Sequence, residues 1–96
     1  MRLLLRPAAA ADLHAARKYY EESTPGLGDE LAIDLDRLFT RLVVYPHSAP
    51  LVDGYAPVRR ARLRRFPYGV FYLPGEDRVD VLRIVHAARA PETWRR

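Results

Sequence analysis

Residues 58–72 read V-R-R-A-R-L-R-R-F-P-Y-G-V-F-Y. Five arginines fall between Arg59 and Arg65, a Phe66-Pro67-Tyr68-Gly69 break follows, and an apolar, aromatic run comes after it. The pattern predicts a β-hairpin with an arginine-studded strand, Val58 to about Arg65, and a buried strand, about Gly69 to Leu73. Residues two apart share a strand face. That rule places Arg60, Arg62 and Arg64 on one face, and Arg59, Ala61, Leu63 and Arg65 on the other. Guanidinium groups spaced roughly 6–7 Å apart along one face repel each other. They suit an anion, either a phosphate backbone or an acidic partner.

Downstream, Pro74-Gly75-Glu76-Asp77 has strong turn chemistry. Arg78 to His86 then reads as the last strand. Strict alternation gives Val79, Val81, Arg83 and Val85 one face and Leu82, Ile84 and His86 the other. Both faces are mainly apolar, so the strand belongs in the middle of a sheet. Arg89 to Trp94 closes the chain, with a single helical turn expected from Pro91.

Upstream, Tyr45 to Pro57 is punctuated by Pro46, Pro50, Gly54 and Pro57 and reads as a long irregular connection. Leu27 to Val44 reads as a helix. Leu27, Leu31, Leu35, Leu38 and Leu42 form its apolar stripe, with Phe39 beside them, and Glu30, Asp34, Arg37 and Arg41 climb another face. Ala8 to Ser23 is a second helix with Ala9, Leu13, Ala16 and Tyr20 inward. Thr24-Pro25-Gly26 ends it and makes the two helices an antiparallel hairpin. Arg2 to Arg6 is a short strand. The order is β-α-α-β-β-β with a short C-terminal turn or helix. It predicts an α+β fold, an antiparallel meander that the first strand joins, with an αα-hairpin covering one face.

The 96 residues make one domain, 1–96. No apolar run approaches the ~20 residues of a membrane span. The run Leu3-Leu4-Leu5 is far shorter than the ~7–15 residues of a signal-peptide core. No cysteine is present, which fits a reducing cytoplasm and excludes disulfide and thiolate chemistry. Scattered histidines make a poor metal site, and neither metal nor cofactor is expected. Charge is polarised: residues 1–54 carry six basic and eight acidic side chains, whereas residues 55–96 carry ten basic and four acidic. Clustering on the C-terminal half points to a polyanion or acidic partner.

The chain contains no glycine-rich phosphate loop, paired-histidine metal motif or nucleophile elbow. His86, at the end of the last strand beside Arg89, is the residue able to act as a general acid or base. Equally, it can cap the strand by bonding to backbone. Arg62 and Arg89 could stabilise a phosphate in metal-independent RNA cleavage. Trp94 either stacks on a base or partner, or packs the tail onto the sheet. Arg59, Arg60, Arg62, Arg64, Arg65, Arg83 and Trp94 form the candidate binding face.

Five pieces of the chain, in order, resemble the RelE/ParE superfamily of bacterial type II toxin–antitoxin toxins. They are A-A-A-D-L-H-A-A-R-K-Y-Y-E-E, P-G-L-G, Tyr45-Pro46 leading to Pro50, the opening stretch, and V-L-R-I-V-H-A-A-R-A-P-E-T-W. The resemblance implies the same fold and an acidic, partly disordered antitoxin that covers the toxin in a hetero-oligomer. ParE-like members inhibit DNA gyrase by binding; RelE-like members cleave mRNA on the ribosome. The sole lysine is Lys18, unlike the lysine-rich RelE pattern. One nuclease relative uses a glutamate, an arginine and a histidine; Arg62 or Arg64 and His86 match the last two, and the glutamate has no counterpart. R-R-F-P-Y-G-V-F-Y followed by H-x-x-R-x-P is closer to ParE-like sequences. The expectation is therefore a ParE-like gyrase inhibitor, with a RelE-like endonuclease, or a non-toxic member or nucleic-acid-binding module, as alternatives.

Overall fold

Leu31, Leu35, Leu38 and Leu42 recur every three or four residues, and all four are buried in the computed structural model, which describes residues 1–96. They form the inner stripe of helix α2, Leu27–Val44. Each leucine so buried contributes about 1.5–3 kcal/mol of apolar transfer. Helix α1, Pro7–Ser23, opens on a proline whose fixed φ and missing N–H suit a first turn. It buries Ala9 and Ala16 and lays Leu13 and Tyr20 against the same core. The two helices approach closely at Gly28, where a Cβ would stand 2.8 Å from the Arg17 carbonyl oxygen. Glu21 ties the hairpin by accepting the backbone N–H groups of Gly26 (2.8 Å) and Gly28 (3.0 Å). These are donors that a helix start would otherwise leave unpaired.

Four strands form one sheet in the order β1-β4-β3-β2: β1 is Arg2–Leu5, β2 Arg59–Arg62, β3 Tyr68–Pro74 and β4 Arg78–His86. β2, β3 and β4 make the antiparallel meander, and β1 joins β4 in parallel. The sheet is therefore mixed, α+β as the element order predicts, with β4 central. The helical hairpin covers one face. There Leu3 and Leu5 of β1, Ala61, Val70, Tyr72, Val79, Val81 and Ile84 meet the helix stripes. On the other face Val58, Phe71 and Val85 form a small second cluster, packed by Leu73, Leu82 and Trp94. The C-terminal turn, Pro91–Arg95, is a 3-10 helix that places Trp94 on this outer face.

Three local expectations are corrected. The arginine strand stops at Arg62, not Arg65. Leu63 and Phe66 turn into the core, the Leu63 N–H closes on the Tyr68 carbonyl at 3.0 Å, and the Arg65 N–H donates to Asp34 Oδ2 at 2.9 Å. Arg64 thus leaves the face it was expected to share with Arg60 and Arg62. Second, strict alternation fails in β4. A register shift between Phe71 and Tyr72 of β3 leaves Leu82 without a partner, so that Val81 and Ile84, three residues apart, both face the helices. Third, Asp34 does not belong to a solvated charge ladder on α2. It is buried and serves the 63–67 bend, while Glu30 pairs with Arg65 at 2.9 Å.

Candidate functional site

The candidate arginines divide into those held by the chain and those left open. Arg59 faces inward and donates Nη1 to the carbonyl oxygens of Ala49 (2.7 Å) and His47 (3.3 Å), bracing the irregular connection. Arg83 is bound to Asp12 and reaches the C-terminal turn. Arg65 pairs with Glu30, half exposed on both sides. Arg60, Arg62, Arg64 and Arg89 are exposed and make no side-chain hydrogen bond or ion pair. Three of these four, Arg60, Arg62 and Arg89, line one cleft of about 340 Å³ together with His86. No acidic residue lines it. The cleft lies where β3 begins and β4 ends, with Phe66, Tyr68 and Phe71 among its apolar walls.

Local structure explains the convergence. Ala61 faces the core, so period-two alternation turns Arg60 and Arg62 outward. Antiparallel pairing sets Arg62 opposite Gly69, and Gly69 in turn opposite Val85, next to His86. Beyond β4, the Ala87 N–H bonds to the Pro67 carbonyl at 2.7 Å, and the Arg89 N–H to the His86 carbonyl at 3.0 Å. These bonds bring Arg89 back over the sheet end.

His86 Nδ1 accepts the backbone N–H of Ala88 at 3.0 Å. A nitrogen that accepts carries no proton, so the ring proton belongs to Nε2, which is then a donor. The ring also sits edge-on to Tyr68, centroids 5.2 Å apart. Burial, followed by the neighbouring Tyr20, pushes the Tyr68 phenol up to about 12, so it stays protonated. Tyr20 links this pair to Phe66 at 5.0 Å and Tyr68 at 6.2 Å, both edge-on. The polar side chains that the outer face brings to the cleft are three guanidiniums, all hydrogen-bond donors, whereas Tyr68 and His86 pair on the helix-facing side of the sheet. Such an array holds an anion; it has no ready group to remove a proton.

Trp94 lies apart from this cleft. It stacks on Phe71 with centroids 5.2 Å apart and planes 8° from parallel, and meets Tyr55 edge-on at 5.3 Å. The Arg95 guanidinium lies over the Tyr55 ring, 4.9 Å from its centroid. One face of the indole is thus occupied by Phe71, and its position matches the packing alternative raised from sequence.

The sequence matches the family model described as ParE toxin of type II toxin-antitoxin system, parDE, over residues 3–91. The chain belongs to the ParE toxin family. A chain in the structure of the chromosomal ParDE TA system from P. aeruginosa is similar, with a TM-score of 0.76 and 25% sequence identity. That match covers 90% of this chain and 95% of the other. A search of curated proteins returned no match. Family membership makes the chain a type II toxin and decides for the ParE-like side of the superfamily. The family match ends at Pro91, so Trp94 lies outside it.

Within this ParE-family fold, two features escaped sequence reasoning. Asp12 lies off the apolar stripe of α1 and has no sequence signal of its own, yet it holds Arg83. Gly69 reads as the joint between turn and strand, yet nothing in that reading shows that Arg60 lies over it in the buried strand. A glycine inside a strand marks close approach by another group, and that was the available signal.

Proposed function

We propose that the chain is the toxin of a type II pair, acting in the cytoplasm as a single domain, neutralised by a cognate antitoxin and directed at DNA gyrase. The family match over residues 3–91 carries this reading. The arginine cleft favours action by binding over bond cleavage, because no guanidinium there can serve as a base and His86 turns its ring to the helix-facing side of the sheet, with Nδ1 taken by the Ala88 N–H. Residues 55–96 are strongly basic, and an acidic, partly disordered antitoxin segment that folds on binding would complement them. Arg60, Arg62 and Arg64 are the exposed, unpaired positions that such a segment would meet first.

Expression without antitoxin tests the target. A gyrase inhibitor gives DNA damage and filamentation in cells and blocks supercoiling by purified gyrase. Rapid translation arrest with cleaved mRNA, abolished by His86→Ala or Arg62→Ala, would replace this reading with ribosome-dependent cleavage. Harmless accumulation of folded protein would remove toxicity altogether. Replacing Arg60, Arg62 and Arg64 with glutamate should severely weaken the antitoxin complex; unchanged affinity would take these three arginines out of the interface.

A further inference from the structure

Gly69 is buried near the start of β3, between Arg62 of β2 and Val85 of β4, and a Cβ built there would lie 3.2 Å from Arg60 Cδ and 3.4 Å from Arg60 Cγ. Phe71 Cε1 stands 3.7 Å from the same point and forms the wall of the trough. Arg60 pairs across the ladder with Phe71, not with Gly69. Its aliphatic stem therefore runs diagonally over the glycine. An arginine laid down in this way presents its guanidinium from a partly fixed stem, which reduces the rotamer freedom lost on binding. The gap at Gly69 is the space that holds it.

The geometry points to a phosphoryl-binding site in the cleft formed by Arg60, Arg62 and Arg89, with Gly69 as the positioning residue that seats Arg60. Three cations without internal partners converge on a concavity that no carboxylate lines. Guanidiniums match phosphate oxygens through paired N–H bonds, and each such charge-assisted bond is stronger than a neutral one. The volume of about 340 Å³ falls at the small end of ligand pockets, about 300–1,000 Å³, and suits a mononucleotide or the terminal nucleotide of a strand. Apolar walls from Phe66, Pro67 and Pro91 give a flat base or sugar a surface to lie on. The site is independent of the gyrase reading, because it concerns what the toxin alone binds.

Calorimetric titration of the full chain at low salt tests this, with inorganic phosphate, adenosine 5′-monophosphate, a 5′-phosphorylated dinucleotide and uncharged adenosine as probes. Saturable binding of the phosphorylated probes without binding of adenosine is expected. The tightest of the three phosphorylated probes tells free phosphate, nucleotide and strand end apart. Arg62→Gln and Arg89→Gln should each weaken that binding about tenfold. Gly69→Ala should weaken it as well, with an unchanged far-ultraviolet spectrum, because its methyl group lifts the Arg60 stem; if that variant does not fold, Arg60→Gln reads the same contact. Arg37→Gln, exposed on α2, should bind like the parent. The site is refuted if no phosphorylated probe binds, if adenosine binds as well as its monophosphate, or if Arg37→Gln loses as much affinity as Arg62→Gln.

Discussion

Asp12 of α1 grips Arg83 of β4: Arg83 Nε donates to Asp12 Oδ2 at 2.7 Å and Nη2 to Oδ1 at 3.1 Å. The same carboxylate accepts the Ile84 backbone N–H at 2.9 Å. Both side chains are mostly buried, 15% exposed for Arg83 and 18% for Asp12. The Asp12 carboxylate holds the Arg83 guanidinium above its ordinary range, so it is charged at every pH the fold tolerates. Arg83 spends its remaining Nη1 on the carbonyls of Thr93 (3.3 Å) and Arg96 (2.9 Å). One ion pair thus fastens the helical hairpin to the central strand and the C-terminal turn to both.

Asp12→Ala strands a largely buried guanidinium and a strand N–H. The expected loss is about 3 kcal/mol. For a domain of this size that lowers Tm by roughly 10–20 °C. Thermal melts followed by circular dichroism measure it, and a Tm within a few degrees of the parent would mean that water replaces the carboxylate at little cost.

Asp80 sits between two cations, bonded to Arg6 at 3.1 Å and paired with Arg78 at 2.7 Å. The Arg6 hydrogen bond, reinforced by Arg78, holds its carboxyl below the ordinary carboxylate range. A depressed folded-state pKa contributes stability above the unfolded pKa, and that contribution disappears as the pH falls through the folded one. Asp80→Asn should therefore be less stable than the parent at neutral pH, with the gap narrowing below about pH 4. Denaturant midpoints at neutral and acid pH give the comparison. A gap that stays constant with pH would show that the two arginines do not stabilise the charged form.

Buried Asp34 accepts the Arg65 backbone N–H at 2.9 Å and so shapes the bend that ends β2. Asp34→Ala leaves that donor unpaired at a cost of about 1–3 kcal/mol. Glu30→Gln, which touches only the half-exposed Arg65 side chain, should cost under about 1 kcal/mol. Chemical denaturation of the two variants separates backbone satisfaction from surface charge pairing. Equal losses would assign the bend to the ion pair instead.

Trp94 is the chain's one tryptophan, so its fluorescence reports the docking of the C-terminal turn. Phe71→Ala removes the ring on which it stacks and should shift its emission to longer wavelength. Arg83→Gln should give a similar shift by releasing the Thr93 and Arg96 carbonyls. Emission unchanged in both variants would mean that Tyr55 is enough to hold the indole.

Periodicity was enough to read α2 and the span of β4, but not the end of β2. The leucine stripe of α2 predicts Leu27–Val44, the span observed, because a 3.6-residue repeat leaves few alternatives over eighteen residues. β4 likewise spans Arg78–His86 as read, since turns bound both sides of an apolar run. The extra residue Leu82 could not be read there. A bulge comes from the partner strand's register, and no local pattern in V-D-V-L-R-I-V-H records it.

The arginines of the opening stretch show the same division at the level of function. Their order dictates a basic strand whose alternate members leave the core, because Ala61 and Leu63 are apolar and charged neighbours are costly to bury. Which guanidiniums remain open depends on partners far along the chain. Arg59 is claimed by Ala49 and His47, Arg65 by Glu30, and Arg64 is turned away by the bend at Asp34. Arg89 joins Arg60 and Arg62 only because β4 returns beside β3. Local propensity and hydrophobic periodicity are encoded residue by residue, whereas a binding cleft is a sum of long-range contacts that exists once the strands have paired.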